Sequence, residues 1–126
     1  MTNIKVKKQD RVYNGFFKMD QITFDQNKFD GTEMKDIKRE VFIRKPVVFL
    51  SLYDPKEDTH LFIMQVRAGA IVNDLSNPIV LEPIAGIIDE GETPILAAIR
   101  EAKEEAGIDL YMNSISIIQE GYTSPG

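Results

Sequence analysis

"GIIDEGETPILAAIREAKEEAG", residues 86–107, decides how this chain is read. Its second half predicts a helix. Thr93 suits the N-cap, Pro94 the first helical position and Gly107 the left-handed residue past the last turn. Ile95, Ile99, Ala102 and Ala106 fall at i, i+4, i+7 and i+11, an apolar stripe that must pack on a sheet. On another face, Glu101, Glu104 and Glu105 crowd the carboxyl end and span about 100° of arc. Unpaired carbonyls already make that end partly negative, so carboxylates there are unfavourable. Like charges three and four apart add about 0.2–0.5 kcal/mol of repulsion per pair. A divalent cation held by these oxygens would reverse the sign of the whole arrangement. The alternative is a solvated acidic face.

Outside this segment, composition narrows the chemistry. The 126 residues suffice for one domain with a real core. There is no cysteine, hence no disulfide or thiolate metal site, and a single histidine, His60, excludes a His-rich zinc site. A metal site here would be all oxygen, which favours Mg²⁺, with Mn²⁺ as the alternative. The net charge of −5 argues against nucleic-acid binding. The charge is unevenly spread: residues 1–67 carry 13 bases and 10 acids, residues 68–126 carry 2 bases and 10 acids. The sharper reading is a cation site in the second half and anion-contacting residues in the first; the alternative is a solvated acidic face. The first ten residues lack an apolar signal core, and runs such as "PVVFLSL" are too short to cross a membrane, so no membrane partner and a cytoplasmic location are expected.

Along the chain, two antiparallel strands are expected at roughly 11–25 and 35–45, joined around "KFDGTE", where Asp-Gly signals a hairpin. "KPVVFLSLYD" reads as a buried strand ended by "DPKEDT", and "HLFIMQVR" as the next strand. "VNDLSNP" reads as a loop, and "IVLEPIAGII" as extended pieces broken by Pro83 and Gly86. "SISIIQEGY" reads as a further strand. His60 reads as a surface residue at a strand start, and Asp89 and Glu90 as turn residues.

Read together, Gly86, Glu92, Arg100, Glu101, Ala102, Glu104, Glu105, Gly107 and Ile108 resemble the Nudix box, G-x5-E-x7-R-E-U-x-E-E-x-G-U with U aliphatic. Every fixed position matches; Ala102 is a small choice for its aliphatic position. The resemblance implies an α+β fold, an α/β/α sandwich whose mixed sheet is packed by the box helix. It implies hydrolysis of a diphosphate linked to another moiety. Glu101 and Glu105 would be the main metal ligands and Glu104 a further ligand or support. Glu92 would orient Arg100 and the glutamates, Arg100 would organise the site, and Gly86 would let the loop fold over the helix start.

Further segments, "GFF" at 15–17, "KREVFIRKP" at 38–46, "QVR" at 65–67, "LEPIAG" at 81–86 and the final "TSPG", resemble the ADP-ribose pyrophosphatase subgroup in order and spacing. That resemblance implies residues 1–45 as N-terminal antiparallel strands for dimerisation and substrate contacts, and 46–126 as the catalytic domain. It implies a homodimer with substrate partly between subunits. Phe16 would stack on adenine, Arg39 and Arg67 would contact substrate, and the Ala85 carbonyl would meet a metal. Glu82 would be a further ligand or a loop anchor. Family members continue for several dozen residues, into a part that often carries the glutamate proposed as general base. The expectation is therefore a retained or proteolysed piece of a longer protein, with a natural short form that binds metal but turns over poorly as the alternative, and no general base is assigned. The expected activity is Mg²⁺-dependent hydrolysis of ADP-ribose to AMP and ribose 5-phosphate. Its competitors are hydrolysis of another nucleoside diphosphate sugar, such as GDP-mannose, and a non-catalytic nucleotide-sugar-binding module.

Overall fold

The computed structural model describes residues 3–122. These fall into two compact units, one holding residues up to Arg44 together with Gly121 and Tyr122, the other Lys45–Glu120.

The first unit is a three-stranded antiparallel meander, β1 (Ile4–Asn14), β2 (Lys18–Asn27) and β3 (Glu33–Ile43), in the order β1-β2-β3. One expected strand, 11–25, is in fact two. The chain reverses at Gly15, whose N–H donates to the Phe17 carbonyl at 3.0 Å, so residues 11–14 belong to β1 and residues 18–25 to β2. The turn into β3 lies where Asp-Gly placed it. Gly31 has φ 86°, and the Lys28 N–H donates to the Thr32 carbonyl at 2.8 Å. The β2–β3 register shifts between Phe24 and Gln26, opposite Asp36, which takes a left-handed φ of 53°. Ile37 and Asp20 are the buried side chains of this sheet. Asp20 stays there because Arg11 pairs with it and Gln9 Nε2 donates to its Oδ2 at 2.6 Å.

In the second unit every ladder is antiparallel: β4 (Val47–Leu50) on β9 (Ile84–Ile87), β5 (Leu52–Asp54) on β6 (Thr59–Leu61), and β7 (Ile63–Val66) on β8 (Ile79–Glu82). The two long strands read from "KPVVFLSLYD" and "HLFIMQVR" are each split, at Ser51 and at Phe62, and in the first, expected to be buried, only Leu50 is buried. A short helix, α1 (Ala68–Asn73), precedes the expected loop and overlaps its first two residues. Pro83 separates β8 from β9 as expected, whereas Gly86 lies inside β9. The strand expected in "SISIIQEGY" does not form: Met112–Ser114 is a 3₁₀ turn, and the described residues beyond it up to Tyr122 join no ladder. A strand segment needs a partner for its backbone, and none of the described strands is hydrogen-bonded to this one.

Helix α2 (Pro94–Ala106) has the ends its sequence specifies. The Thr93 side chain accepts from the Leu96 N–H at 3.3 Å, and Gly107 closes the helix at φ 70° with its N–H on the Lys103 carbonyl. It packs on β4 and β9. Its buried line runs through Ala97, Ala98 and Ala102, with Ile95 and Ile99 only half-buried. The alanines let the helix approach the sheet closely, and the core they form holds Ala98 and Ala102 against Leu50 and Ile84. No helix among the described residues is long and apolar enough to cross a membrane.

Candidate active site

The close approach of α2 to β9 creates the polar centre of the second unit. Gly86 sits against Glu101: a Cβ at residue 86 would overlap the Glu101 carboxyl group. The glycine therefore serves close packing between strand and helix, not the folding of a loop over the helix start. One residue earlier, the Ala85 N–H donates to Glu105 Oε2 at 3.3 Å. Glu101 and Glu105, one helical turn apart, thus touch consecutive residues of a single strand. The N–H and carbonyl of a strand residue leave by the same edge, so the Ala85 carbonyl lies on the Glu105 side.

Arg100 binds this cluster from the other flank. Its Nε and Nη2 grip Glu92 Oε1 and Oε2 at 3.0 and 2.9 Å, a bidentate pair. Nη2 also donates to the Ile87 carbonyl at 2.9 Å. Nη1 donates to Glu101 Oε1 at 2.6 Å and Glu104 Oε2 at 3.3 Å. Glu92 is further fixed by the Asp89 N–H at 3.1 Å. Its pKa is held below the usual glutamate value, first by Arg100 and then by that N–H. Arg100 is raised in turn by Glu92 and Glu101 and stays charged. Glu101 is buried, whereas Glu104 reaches solvent.

Gln65, which the sequence did not single out, completes the cluster. Its Nε2 donates to Glu105 Oε1 at 2.8 Å. The signal was a polar residue in register with Ile63 on the half-buried face of β7, between exposed Met64 and Val66. Arg67 stands close enough to Glu105 for its charge to be felt there, but its Nε donates to Glu82 Oε1 at 2.7 Å. Glu82 raises the Arg67 pKa and anchors that guanidinium.

Of the expected substrate residues in the first unit, Phe16 is 87% exposed and meets Phe17 edge-on at 4.8 Å. Arg39 is exposed and donates to the Lys38 carbonyl at 2.7 Å. His60 lies on β6, exposed as expected, with its Nδ1 3.0 Å from Ser51 Oγ.

A hard cation suits the donor chemistry of α2, which offers carboxylate oxygens and, from β9, a backbone carbonyl. As arranged, no three Asp, Glu, His or Cys side chains among the described residues converge tightly enough to hold one. The reason is visible at Arg100, which draws Glu101 and Glu104 toward itself. Each of Glu101 and Glu104 offers Arg100 one oxygen and keeps the other.

This constellation on an α+β scaffold defines a class. Residues 43–125 match the NUDIX domain model, and the chain belongs to the Nudix family. It is 37% identical over 110 residues to an ADP-ribose pyrophosphatase of Haemophilus influenzae, covering 86% of this chain and 51% of that protein. It is 35% identical to an ADP-ribose pyrophosphatase of Escherichia coli K12 (84% and 50% covered) and 33% identical to a GDP-mannose pyrophosphatase of Yersinia pestis (88% and 54% covered). The fold matches a crystal structure of an ADP compounds hydrolase with a TM-score of 0.57 at 22% identity, over 82% of this chain and 51% of that one. The chain spans about half the length of the curated relatives it matches.

Proposed function

We propose that this chain carries the metal-binding and catalytic residues of an Mg²⁺-dependent pyrophosphatase that cleaves ADP-ribose to AMP and ribose 5-phosphate. The observation that supports this most is the Arg100 hub, one guanidinium joining Glu92, Glu101 and Glu104 beside a Glu105 turned to Ala85. Bound Mg²⁺ supplies neutralisation of the diphosphate and a water activated for attack at phosphorus. Glu101 and Glu105 hold it with the Ala85 carbonyl, and Glu104 contributes or supports. Arg100 and Glu92 keep Glu101 and Glu104 oriented. Gly86 leaves room for Glu101, and Gly107 ends the helix so that the three glutamates share its last turns.

Phe16 stacks on adenine, and its exposure leaves the ring face free for that. Arg39 and Arg67 contact the substrate, Arg67 through the N–H groups that Glu82 leaves open. Residues 1–45 form the dimerisation and substrate-contact strands of a cytoplasmic homodimer, and 46–126 belong to the catalytic domain. The second reading is GDP-mannose hydrolysis, favoured by the 33% identity to GDP-mannose pyrophosphatase. A release assay over a panel of nucleoside diphosphate sugars with Mg²⁺ separates the two. ADP-ribose ranks first if the proposal holds; GDP-mannose ranking first replaces it with the second reading.

A further inference from the structure

Gln65 is a polar side chain on a half-buried strand position, forty residues from the glutamate it contacts. Its amide donates to Glu105 Oε1 at 2.8 Å, while the Ala85 N–H donates to Oε2 of the same carboxylate at 3.3 Å. Glu105 is therefore held by two neutral donors, one on each oxygen, and by no direct ion pair among the described residues. Glu92 and Glu101, by contrast, are tied to a guanidinium. A carboxylate held by neutral donors is oriented while its charge stays uncancelled. Each oxygen keeps a further lone pair for a cation. The neighbouring strand position 67 carries a cation already committed to Glu82.

We propose that Gln65 is a positioning residue: it sets Glu105 in the orientation that receives the divalent cation without neutralising it. This rests on the reading of Glu105 as a metal ligand. A leucine at position 65 keeps the volume of the side chain but removes the donor, so Glu105 loses one of its two anchors and can swing toward the Arg67 guanidinium. Hydrogen-bond partners of metal ligands typically carry about 10–100-fold in metal affinity.

The test is Mn²⁺ binding to the purified chain without substrate, followed by the loss of the free-ion paramagnetic resonance signal. Wild type, Gln65→Leu, Gln65→Asn and Glu105→Gln are compared, with thermal melting of each recorded alongside. The expected result is Mn²⁺ affinity about 10-fold weaker or more in Gln65→Leu at a near-unchanged melting temperature. Gln65→Asn, which keeps an amide donor on a shorter arm, falls between Gln65→Leu and wild type. Glu105→Gln is the weakest binder. If Glu105→Gln binds Mn²⁺ like wild type, the metal-ligand reading itself fails, and the proposal with it. If Glu105→Gln is weakened while Gln65→Leu and Gln65→Asn both bind like wild type, only the role of Gln65 is overturned. A lowered melting temperature with unaltered Mn²⁺ affinity overturns it too, because it marks a packing role. Should Gln65→Leu not fold, the Gln65→Asn affinity decides alone.

Discussion

Arg11 in the first unit and Arg100 in the second are both guanidiniums set against buried carboxylates, and they differ in how much carboxylate they leave free. Arg11 faces Asp20 alone. Its Nε pairs with Oδ1, its Nη2 reaches Oδ2 at 3.3 Å, and Gln9 adds a second donor to Oδ2, so both oxygens are used. Arg100 faces three glutamates, satisfies Glu92 on both oxygens and takes one oxygen each from Glu101 and Glu104. Glu105 stands beside them on neutral donors. The first arrangement is closed and serves the fold. The second has more negative charge than its cation can cancel, and that excess is what the proposed cation site would use.

The largest effect is expected at Glu101. Glu101→Gln keeps the shape and removes one charge from the open cluster; turnover with Mg²⁺ is expected to fall by orders of magnitude, read by product release. Gly86→Ala should act on the same group from outside. The new methyl displaces the Glu101 carboxyl, and activity is expected to drop about 10–100-fold with the fold retained, as circular dichroism would record. Full activity in Gly86→Ala would mean that the Glu101 position does not matter.

Acid titration sharpens the contrast more gently. Glu92 and Asp20 both have folded pKa values depressed below their ordinary ones, chiefly by Arg100 and Arg11. Each therefore contributes stability that is fully present above the ordinary carboxylate range and is lost as the pH falls through the folded value. Glu92→Gln and Asp20→Asn should each flatten the acid limb of a stability–pH curve. Only Glu92→Gln should also lower activity at neutral pH; equal activity losses in the two variants would erase the distinction between them. Smallest of all is Lys8→Ala. Lys8 pairs with Asp10 on the surface of the first sheet, where exposed ion pairs are worth little. Melting and activity should both stay at wild-type levels.

Helix α2 was legible because its signals are local: a cap, a proline, a glycine and a spacing of carboxylates all lie within one short segment. The same holds for the Asp30-Gly31 turn. Strand β1 was only partly legible, since "IKVKKQD" is polar and lies mostly exposed, so it carries little of the apolar signal that marks a strand. The splits at Ser51 and Phe62 depend on which neighbour each half pairs with, a tertiary matter. Helix α1 lacks a side-chain cap and any buried residue, so neither usual mark was present. The strand read in "SISII" had the right residues, but residue type does not supply a partner. Within the site, the helix-borne glutamates and Arg100 were legible by spacing. Gln65 and the Arg67–Glu82 pair were not, because each contact joins segments 15 or more residues apart.

Whether the glutamates of α2 form a cation-dependent hydrolytic site is decided by titrating Mg²⁺ into ADP-ribose and measuring AMP release by wild type and Glu105→Gln side by side, in a polypeptide that includes residues 1–126. Wild type is expected to release AMP only with Mg²⁺, to stop on chelation, and to outpace Glu105→Gln by orders of magnitude at every Mg²⁺ concentration. Equal rates for the two proteins, or wild-type release that survives chelation, would contradict such a site.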